Sequence, residues 1–319
     1  MKKIGIGILN AVCAFLLLFV VVWTGLQVAK CVVYSDYLSQ RKFEEKLPGL
    51  SNGFVMQGVS YDGEGGYVHS GYRGANIVLY HVRGGESREI VPVDEQGHVW
   101  EGHGGGITCA GDYVYVASGS KLIIFRYADI AAAKDGERVA SIGTFAVDTQ
   151  ASFCFADQNY IYVGEFYRPV VYETDKRHHL TTPMGEEHKA LVSCYPIAAD
   201  GSIVEKYPTF SISIRDQVQG FAIHDGTIIL SSSWGLSSSK LDFYSGMTSK
   251  GEMIDVSGKS VPLYYLDSAT HVKTVEMPAF SEGITIVGDR VVISFESACN
   301  KYVVGKFFFA NRLTSYPVK

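Results

Sequence analysis

Residues 103–118 have the sequence HGGGITCAGDYVYVAS, the pattern of two short strands that fold back on each other at the Gly111-Asp112 turn. The second strand, Tyr113 to Ala117, consists of aromatic, β-branched and small residues, which pack well on a pleated sheet. The same pattern returns in residues 57–70, 152–165, 219–232 and 282–296. Five copies of one hairpin predict an all-β repeat protein, and we expect a β-propeller.

The spacing of the hairpins predicts the number of blades. The repeats start at positions 57, 105, 152, 219 and 282, so that consecutive starts are 48, 47, 67 and 63 residues apart. Propeller blades commonly span about 40–50 residues, so the two shorter spacings fit one blade each. The two longer spacings fit one blade with an insertion. We therefore predict five blades, with six as the alternative if residues 166–215 contain a degenerate blade.

An apolar segment precedes the repeats. No charged residue occurs between Ile4 and Ala29, and about 20 apolar residues are enough to cross the hydrocarbon core of a bilayer. We predict that residues 1–33 form an uncleaved signal anchor that contacts the membrane through residues 4–29. The alternative is a cleaved signal peptide, although a cut after Ala29 would place Gln27 where a small residue is preferred.

The orientation of this anchor follows from the flanking charges. Lys2 and Lys3 favour a cytoplasmic N-terminus, whereas Lys30 and the basic residues of positions 41–46 compete with them. Because the leader resembles a signal sequence and is followed by one large domain, we expect that domain to lie outside the cytoplasm. We interpret residues 34–50, which are polar and mixed in charge, as a stalk, and residues 51–319 as the propeller domain.

The charge of the domain excludes some classes of partner. Residues 34–319 contain 25 basic and 33 acidic residues, a net charge of −8. A nucleic-acid-binding surface needs a basic stripe, so we expect no nucleic-acid partner. The same balance does not suit electrostatic adsorption to anionic lipid. The partner that remains is an unknown ligand or protein at the cell surface.

The propeller topology brings two sets of side chains together. In each blade the innermost strand begins at one mouth of the central channel, and the second strand returns to that mouth. The strand starts contribute Gln57, His103 and Gln219 as ligand-binding candidates, and Trp234 follows the fourth hairpin as an aromatic platform. Most of these starts are followed by glycine, which lets the backbone approach closely because there is no Cβ.

Three acidic residues occupy equivalent positions. Glu282 begins the last inner strand, and Glu165 and Glu296 follow second strands. Carboxylate and amide oxygens suit Ca²⁺ or another divalent cation, and facing carboxylates could carry out acid–base chemistry. A wet channel mouth, however, also needs polar residues for purely structural reasons. We therefore keep three alternatives: a structural ring, a metal or small-ligand site, and a catalytic site.

The known catalytic motifs do not decide between these alternatives. The sequence contains no Gly-x-Ser-x-Gly elbow, no His-Glu-x-x-His, no phosphate-binding Gly-Lys-Ser/Thr loop and no Cys-x-x-Cys. The Glu282-Gly283 pair at a strand start resembles the Glu-Gly of gluconolactonase-like propellers. That resemblance implies a divalent metal at Glu282, although the other metal ligands of that family are not matched here.

The whole chain also resembles uncharacterised, signal-anchored bacterial propeller proteins, which implies a location rather than an activity. The sequence therefore predicts a membrane-anchored extracytoplasmic propeller that binds a ligand or a protein at its channel mouth. The alternative is a metal-dependent, lactonase-like hydrolase with its site at the same mouth.

Overall fold

The computed structural model describes residues 2–308 and 310–319, so Met1 of the predicted anchor and Phe309 of the predicted propeller lie outside the described residues. The chain begins with helix α1 (Lys2–Val33), followed by α2 (Ser35–Gln40); α3 is Tyr127–Ala132, and two 3₁₀ helices span Lys176–His178 and Val304–Phe308. Within α1, residues Asn10–Val33 have a mean hydropathy of 2.4 and are long enough to cross a membrane. This length and composition fit either a membrane anchor or a signal sequence.

The rest of the described chain is dominated by strands, in agreement with the predicted all-β class. In chain order the strands are β1 (Lys42–Lys46), β2 (Val55–Tyr61), β3 (Gly66–Arg73), β4 (Asn76–Arg83), β5 (Glu86–Val93), β6 (Gly106–Ala110), β7 (Tyr113–Ser118), β8 (Lys121–Arg126), β9 (Glu137–Ala140), β10 (Gly143–Ala146), β11 (Phe153–Ala156), β12 (Tyr160–Gly164), β13 (Leu180–Thr181), β14 (Glu187–His188), β15 (Ala190–Pro196), β16 (Phe210–Ile214), β17 (Val218–His224), β18 (Thr227–Ser232), β19 (Ser239–Tyr244), β20 (Met253–Val256), β21 (Lys259–Tyr265), β22 (His271–Met277), β23 (Ser281–Val287), β24 (Arg290–Phe295) and β25 (Arg312–Pro317).

These strands form a five-bladed β-propeller. From the channel outward, the blades are β2-β3-β4-β5-β9, β6-β7-β8-β10, β11-β12-β15-β16-β21-β20, β17-β18-β19-β22 and β23-β24-β25-β1. The inner strand of each blade packs against the inner strands of both neighbouring blades, which closes a ring around the channel. Alternation of side chains along the strands places buried aliphatic and aromatic residues between the blades. The prediction of a five-bladed propeller is confirmed.

The segment predicted as a stalk is part of the fifth blade. Residues 42–46 form β1, which pairs antiparallel with β25 at the other end of the chain. The preceding helix α2 buries Tyr37, whose hydroxyl lies 2.5 Å from Thr314 Oγ1. Pairing between the two ends of the chain closes the ring of blades. A polar sequence conceals this role, because β1 is an edge strand with most of its side chains exposed.

The two long repeats contain insertions rather than a sixth blade. Residues 165–189 are an excursion at the channel mouth, after which β15 and β16 complete the third blade. Strand β21 lies within the fourth repeat of the sequence, but it pairs parallel with β16 and extends the third blade. The outer strand of the fourth blade is β22, which pairs with β19.

Glycines on the inner strands allow the blades to pack closely, as the Gly-rich strand starts predict. A Cβ on Gly106 would lie 2.5 Å from the backbone nitrogen of Cys154 and 2.6 Å from Cα of Phe153, in the next blade. Cβ atoms at Gly58 and Gly283 would likewise meet the backbone of a neighbouring inner strand.

We expect the substitution Gly106→Ala to lower the free energy of unfolding by about 1–3 kcal/mol, since backbone on both sides must move to admit the methyl group. The matched control is Gly246→Ala, where a Cβ would have no atom within 4 Å. Denaturant unfolding of both variants checks this. A loss of stability equal to that of the control would contradict the packing argument.

Candidate functional site

A cavity of about 880 Å³ opens at the end of the channel where the inner strands begin, which we call the mouth face. Its volume lies within the range of about 300–1,000 Å³ that is typical of small-molecule sites. Six residues predicted from the sequence line this cavity: Gln57, His103, Gln219, Trp234, Glu282 and Glu296. All five blades contribute to the lining, so a ligand bound here would contact the whole ring.

Local irregularities in three inner strands present the polar side chains at the mouth. In the first, fourth and fifth blades the pairing register shifts at the start of the inner strand, at Gln57, Gln219 and Glu282. A bulge of this kind leaves a residue unpaired and re-aims its side chain. The second and third blades have regular pairing from Gly106 and Phe153 onward.

Glu282 and Glu296 form the chemical centre of the cavity, and we call them the acid pair. Both are almost completely buried. Burial, together with the negative charge of Glu296 and a hydrogen bond to it, holds the pKa of Glu282 well above its usual value. Burial raises the pKa of Glu296 to about 7, although Lys301 opposes this shift. The pair therefore retains a shared proton near neutral pH, because two adjacent buried carboxyls cannot easily both ionise.

Two amide side chains hold the acid pair in place. Gln57 Nε2 donates a hydrogen bond to Oε2 of Glu296 at 3.1 Å, and Gln219 Nε2 donates to Oε1 of Glu282 at 3.4 Å. The backbone N–H of Glu296 donates to the carbonyl of Phe280 at 3.0 Å, which ties the end of β24 to the start of β23. The pair thus presents both a donor and acceptors to the cavity in a fixed arrangement.

The first aromatic wall lies beside the acid pair. The ring of His103 stacks on Tyr72, with centroids 4.6 Å apart. The ammonium group of Lys301 donates to the hydroxyl of Tyr72 and lies 4.7 Å from the centroid of that ring and 5.3 Å from that of Tyr302. Phe280 packs on Tyr302 at 5.3 Å. Burial and the nearby Lys301 charge lower the pKa of His103, which keeps its ring neutral.

A second aromatic wall, of Phe166, Tyr172 and Trp234, comes from the third and fourth blades. The centroid of Trp234 lies 5.9 Å from that of Phe166 and 6.3 Å from that of Tyr172. The guanidinium of Arg168 lies 4.9 Å from the Trp234 ring centroid. Trp234 therefore forms an aromatic surface at the cavity, as the sequence predicts.

Backbone strain occurs at the edge of the site. Phe280, which precedes β23, has a φ of +71°, a left-handed conformation that is rare for an aromatic residue. Such strain costs about 1–3 kcal/mol, and strained residues cluster at functional sites. Here the strained residue directly precedes the strand that carries Glu282 and supplies its own ring to the cavity wall.

Glu165 differs from the other two predicted metal ligands. It is buried, and its carboxylate accepts hydrogen bonds from the backbone N–H groups of Gln150 and Leu191, both at 3.1 Å. Its other contact is with Nδ1 of His178 at 2.9 Å. Glu282 and Glu296 are therefore paired with each other, whereas Glu165 is paired with His178. Glu165 thus fixes the excursion of residues 165–189, and a metal at Glu282 and Glu296 remains a prediction.

A different group of ligand atoms lies at the opposite end of the propeller. His224, Asp225 and Asp289 place their ligand atoms within 4.8 Å of one another, at turns between inner and second strands. This cluster is largely exposed, and Lys319 Nζ lies 3.0 Å from Oδ2 of Asp225. The ion pair with Lys319 supplies a structural explanation for the cluster, which is separate from the cavity at the mouth.

Sequence reasoning missed several residues that line the cavity. Tyr72, Lys301, Tyr302, Phe280 and Tyr172 lie outside the strand starts and ends that the repeat identifies. Only Tyr72 had a usable signal, because it follows Ser70 by two residues on the same strand and so points to the same face. Lys301 and Tyr302 depend on the conformation of the segment after β24, which the repeat pattern does not determine.

Comparisons with known proteins find propellers at low sequence identity. Aldose sugar dehydrogenase from Streptomyces coelicolor, in its PQQ-bound form, is 13% identical with a TM-score of 0.45, covering 87% of this chain and 97% of that chain. Glutaminyl cyclase from Myxococcus xanthus is 12% identical with a TM-score of 0.40, covering 86% and 94%. Virginiamycin B lyase from Staphylococcus aureus is 10% identical with a TM-score of 0.39, covering 88% and 100%. No family model and no curated protein matches the chain.

The strand pairing and the cavity define the class of protein. The chain is a five-bladed β-propeller behind an N-terminal apolar helix, with a pocket at one mouth of its channel that combines a buried acid pair with two aromatic walls.

Proposed function

We propose that this propeller is an extracytoplasmic, membrane-anchored binding protein whose mouth cavity holds a neutral, polyhydroxylated ligand such as an oligosaccharide. The observation that carries the proposal is the acid pair between two aromatic walls. Aromatic faces offer apolar area against the C–H faces of sugar rings. Carboxyl and amide groups can both donate to and accept from neighbouring hydroxyls.

The charge of the cavity supports a neutral ligand. Its charged lining residues are Glu101, Lys121, Glu282, Glu296 and Lys301. With one proton shared by the acid pair, two negative charges face two positive charges. A charged ligand would gain little net attraction here and would lose its hydration on entry. A neutral ligand with many hydroxyl groups avoids that cost and still satisfies the polar groups.

The arrangement of the carboxyls favours binding over glycoside hydrolysis. Glycosidases hold their two carboxyl groups about 5–5.5 Å apart when retaining and about 6.5–9.5 Å apart when inverting. The carboxyls of Glu282 and Glu296 interact directly with each other, which supports a binding role over this two-carboxyl geometry. A metal-dependent hydrolase is the second candidate, since the raised pKa of Glu296 suits acid–base chemistry.

The location of the domain is part of the proposal. The apolar span Asn10–Val33 is long enough to serve as an uncleaved anchor, and Lys2 and Lys3 at its start favour a cytoplasmic N-terminus. The propeller then lies outside the cytoplasm, where a membrane-bound glycan-binding protein would meet its ligand.

Titration of the full-length protein in detergent micelles with a panel of neutral oligosaccharides, followed by calorimetry, tests the proposal. We expect Trp234→Ala to weaken binding roughly tenfold, because a central aromatic contact contributes about 1–2 kcal/mol. The matched control is Phe43→Ala, which removes an exposed aromatic side chain from β1 and should leave the affinity unchanged.

Two outcomes would change this assignment. If no neutral oligosaccharide binds at millimolar concentration, the proposed ligand class is wrong. Mass analysis of the titrated mixtures, with and without added Ca²⁺, separates binding from turnover. Cleavage products that appear only with Ca²⁺ would favour the hydrolase, in which a bound cation would displace the proton of the acid pair into solvent.

A further inference from the structure

Exposed apolar side chains are concentrated on the mouth face of the propeller. Three loops reach this face, residues 165–175, 233–238 and 296–308, which we call the rim loops; each contributes lining residues to the cavity. Their exposed large apolar residues include Val170 and Val303, which are 91% and 80% exposed. The others are Val171, Tyr172, Leu236, Val304 and Phe307.

Val170 shows how these loops hold an apolar side chain out into solvent. Val170 has a φ of +71°, a conformation that a β-branched residue rarely adopts, and its backbone N–H is held by Oε1 of Glu173 at 2.8 Å. The loop therefore holds an apolar side chain out into solvent at a cost in backbone strain. Apolar groups displayed in this way on neighbouring loops commonly mark a contact surface for a membrane or another protein.

Contacts between the apolar helix α1 and the rim loops indicate that the partner of this surface is the membrane rather than another protein. The ring of Trp23 lies 5.5 Å from that of Phe307, and Lys30 Nζ donates to the carbonyl of Phe307. The hydroxyl of Tyr34 lies 3.3 Å from Oγ of Ser238. The last third of α1 therefore runs beside the rim loop of residues 296–308, and Tyr34, directly after α1, contacts the loop of residues 233–238. A membrane that surrounds α1 therefore also adjoins the mouth face.

The length of α1 indicates how deeply Trp23 and the neighbouring Phe307 would lie in the bilayer. The span Asn10–Val33 has 24 residues, about 36 Å at 1.5 Å per residue, whereas the hydrocarbon core is about 30 Å thick. About four residues therefore extend beyond the core. Trp23, ten residues before the end of the span, then lies about 10 Å inside the boundary, and Phe307 beside it reaches at least the interface.

We propose that the rim loops insert their apolar side chains into the bilayer that α1 spans, so that the propeller docks with its mouth face on the membrane. The interaction is apolar rather than electrostatic, which agrees with the net charge of −8 over residues 34–319. Contact with lipid buries the side chains that water now surrounds, at about 25 cal/mol per Å² of apolar surface. This inference rests on the proposed membrane anchoring but not on the proposed ligand.

Spin labels on the full-length protein, reconstituted in uncharged phosphatidylcholine vesicles, test the docking. Cys13 and Cys31 are the exposed cysteines among the described residues, so the background carries Cys13→Ser and Cys31→Ser. Labels are placed on the rim loops with Val171→Cys, Leu236→Cys and Val303→Cys. Two matched controls, Val204→Cys and Val272→Cys, replace valines that are 54% and 59% exposed on the propeller away from the rim loops.

We expect the ratio of collisions with molecular oxygen to collisions with a charged nickel chelate to be roughly tenfold higher at the rim labels than at the controls. Oxygen dissolves in hydrocarbon, whereas the chelate stays in water. Equal ratios at rim and control labels would overturn the docking. So would rim labels shielded from both probes, which would indicate a protein partner or a second copy of the chain.

Flotation of the same vesicles separates docking from anchoring. If every variant floats with the lipid and the rim labels report water, anchoring holds and docking is wrong. If the protein does not float, both proposals fail. Glycan binding is measured in a separate experiment, so its failure and the failure of docking are distinguishable.

Discussion

A chain that begins at residue 51 is expected not to fold into a stable propeller, whereas a chain that begins at residue 34 is expected to fold. Both lack the apolar span, and they differ only in residues 34–50. The shorter chain loses β1, the closing strand of the fifth blade, and leaves β25 as an unpaired edge. Unpaired edge strands promote aggregation.

The loss also removes buried side chains. Tyr37 is 1% exposed, and Leu47 belongs to the cluster that includes Phe54 and Tyr80. Removal of a large buried side chain costs about 2–5 kcal/mol, so two of them together approach the 5–15 kcal/mol by which a typical domain is stable. Near-ultraviolet circular dichroism and thermal unfolding of the two chains check this expectation.

A point variant distinguishes the loss of packing from the loss of the strand itself. Tyr37→Phe in the longer chain removes only the hydroxyl that lies 2.5 Å from Thr314 Oγ1, and it should cost about 1 kcal/mol. The expectation would be wrong if the chain beginning at residue 51 melted cooperatively at the temperature of the longer chain. Residues 34–50 would then be the stalk that their composition suggests.

The repeated hairpins were predictable because they are local. Alternation and turn residues within about 15 positions define β6 and β7, and β17 and β18, without reference to the rest of the chain. The outer strands depend on partners that are distant in sequence. β1 pairs with β25, and β21 joins β16 in parallel. Edge pairing of this kind is decided by tertiary packing, which single-strand propensity does not describe.

The candidate site was predictable to the extent that topology fixes it. Gln57, Gln219 and Glu282 share one position at the start of an inner strand, and the structure places each at a bulge facing the cavity. Glu165 satisfies the same positional rule as Glu296, but its partner His178 comes from an excursion that the repeat does not contain. The direction of a side chain beyond a strand end depends on such loop contacts, so repeat position alone could not assign it.

The aromatic walls likewise contain one residue that repeat position could predict and others that depend on loop conformation. Trp234 follows a strand end and was recognised, whereas Lys301 and Tyr302 lie in the segment between β24 and β25. That segment contains a 3₁₀ helix beside the N-terminal helix. Its conformation therefore depends on residues nearly three hundred positions away, a contact that no local pattern reports.

The acid pair is expected to make the stability of the protein depend on pH, and Glu282→Gln is expected to remove the part of that dependence that Glu282 contributes. The folded-state pKa of both carboxyls is raised above the usual value of 4.5. Between about pH 4.5 and the folded-state pKa values, the folded protein binds more protons than the unfolded chain. Raising the pH through this interval therefore lowers the free energy of unfolding, and the full loss is reached above the folded-state pKa values.

Glutamine at position 282 reproduces the neutral form of the carboxyl. Its amide can donate to Glu296 and accept from Gln219, so the hydrogen bonds of the pair persist. Without the second ionisable carboxyl, Glu296 no longer competes for a shared proton. We expect Glu282→Gln to be more stable than the wild type at pH 8 by about 2 kcal/mol, and to differ little from it at pH 5.

Thermal unfolding of the wild type and the variant between pH 5 and pH 9 measures this difference. All other titratable side chains are common to both proteins, so their contributions cancel in the comparison. The matched control is Glu205→Gln, which removes the same charge from an exposed position and should leave the pH profile unchanged. The double variant Glu282→Gln/Glu296→Gln should be more stable at pH 8 than Glu282→Gln alone, because burial by itself raises the pKa of Glu296 and that contribution remains in the single variant. Parallel profiles for the wild type and Glu282→Gln would show that folding does not raise the pKa of Glu282, and the cavity would then carry a further negative charge and favour a cationic ligand over a neutral one.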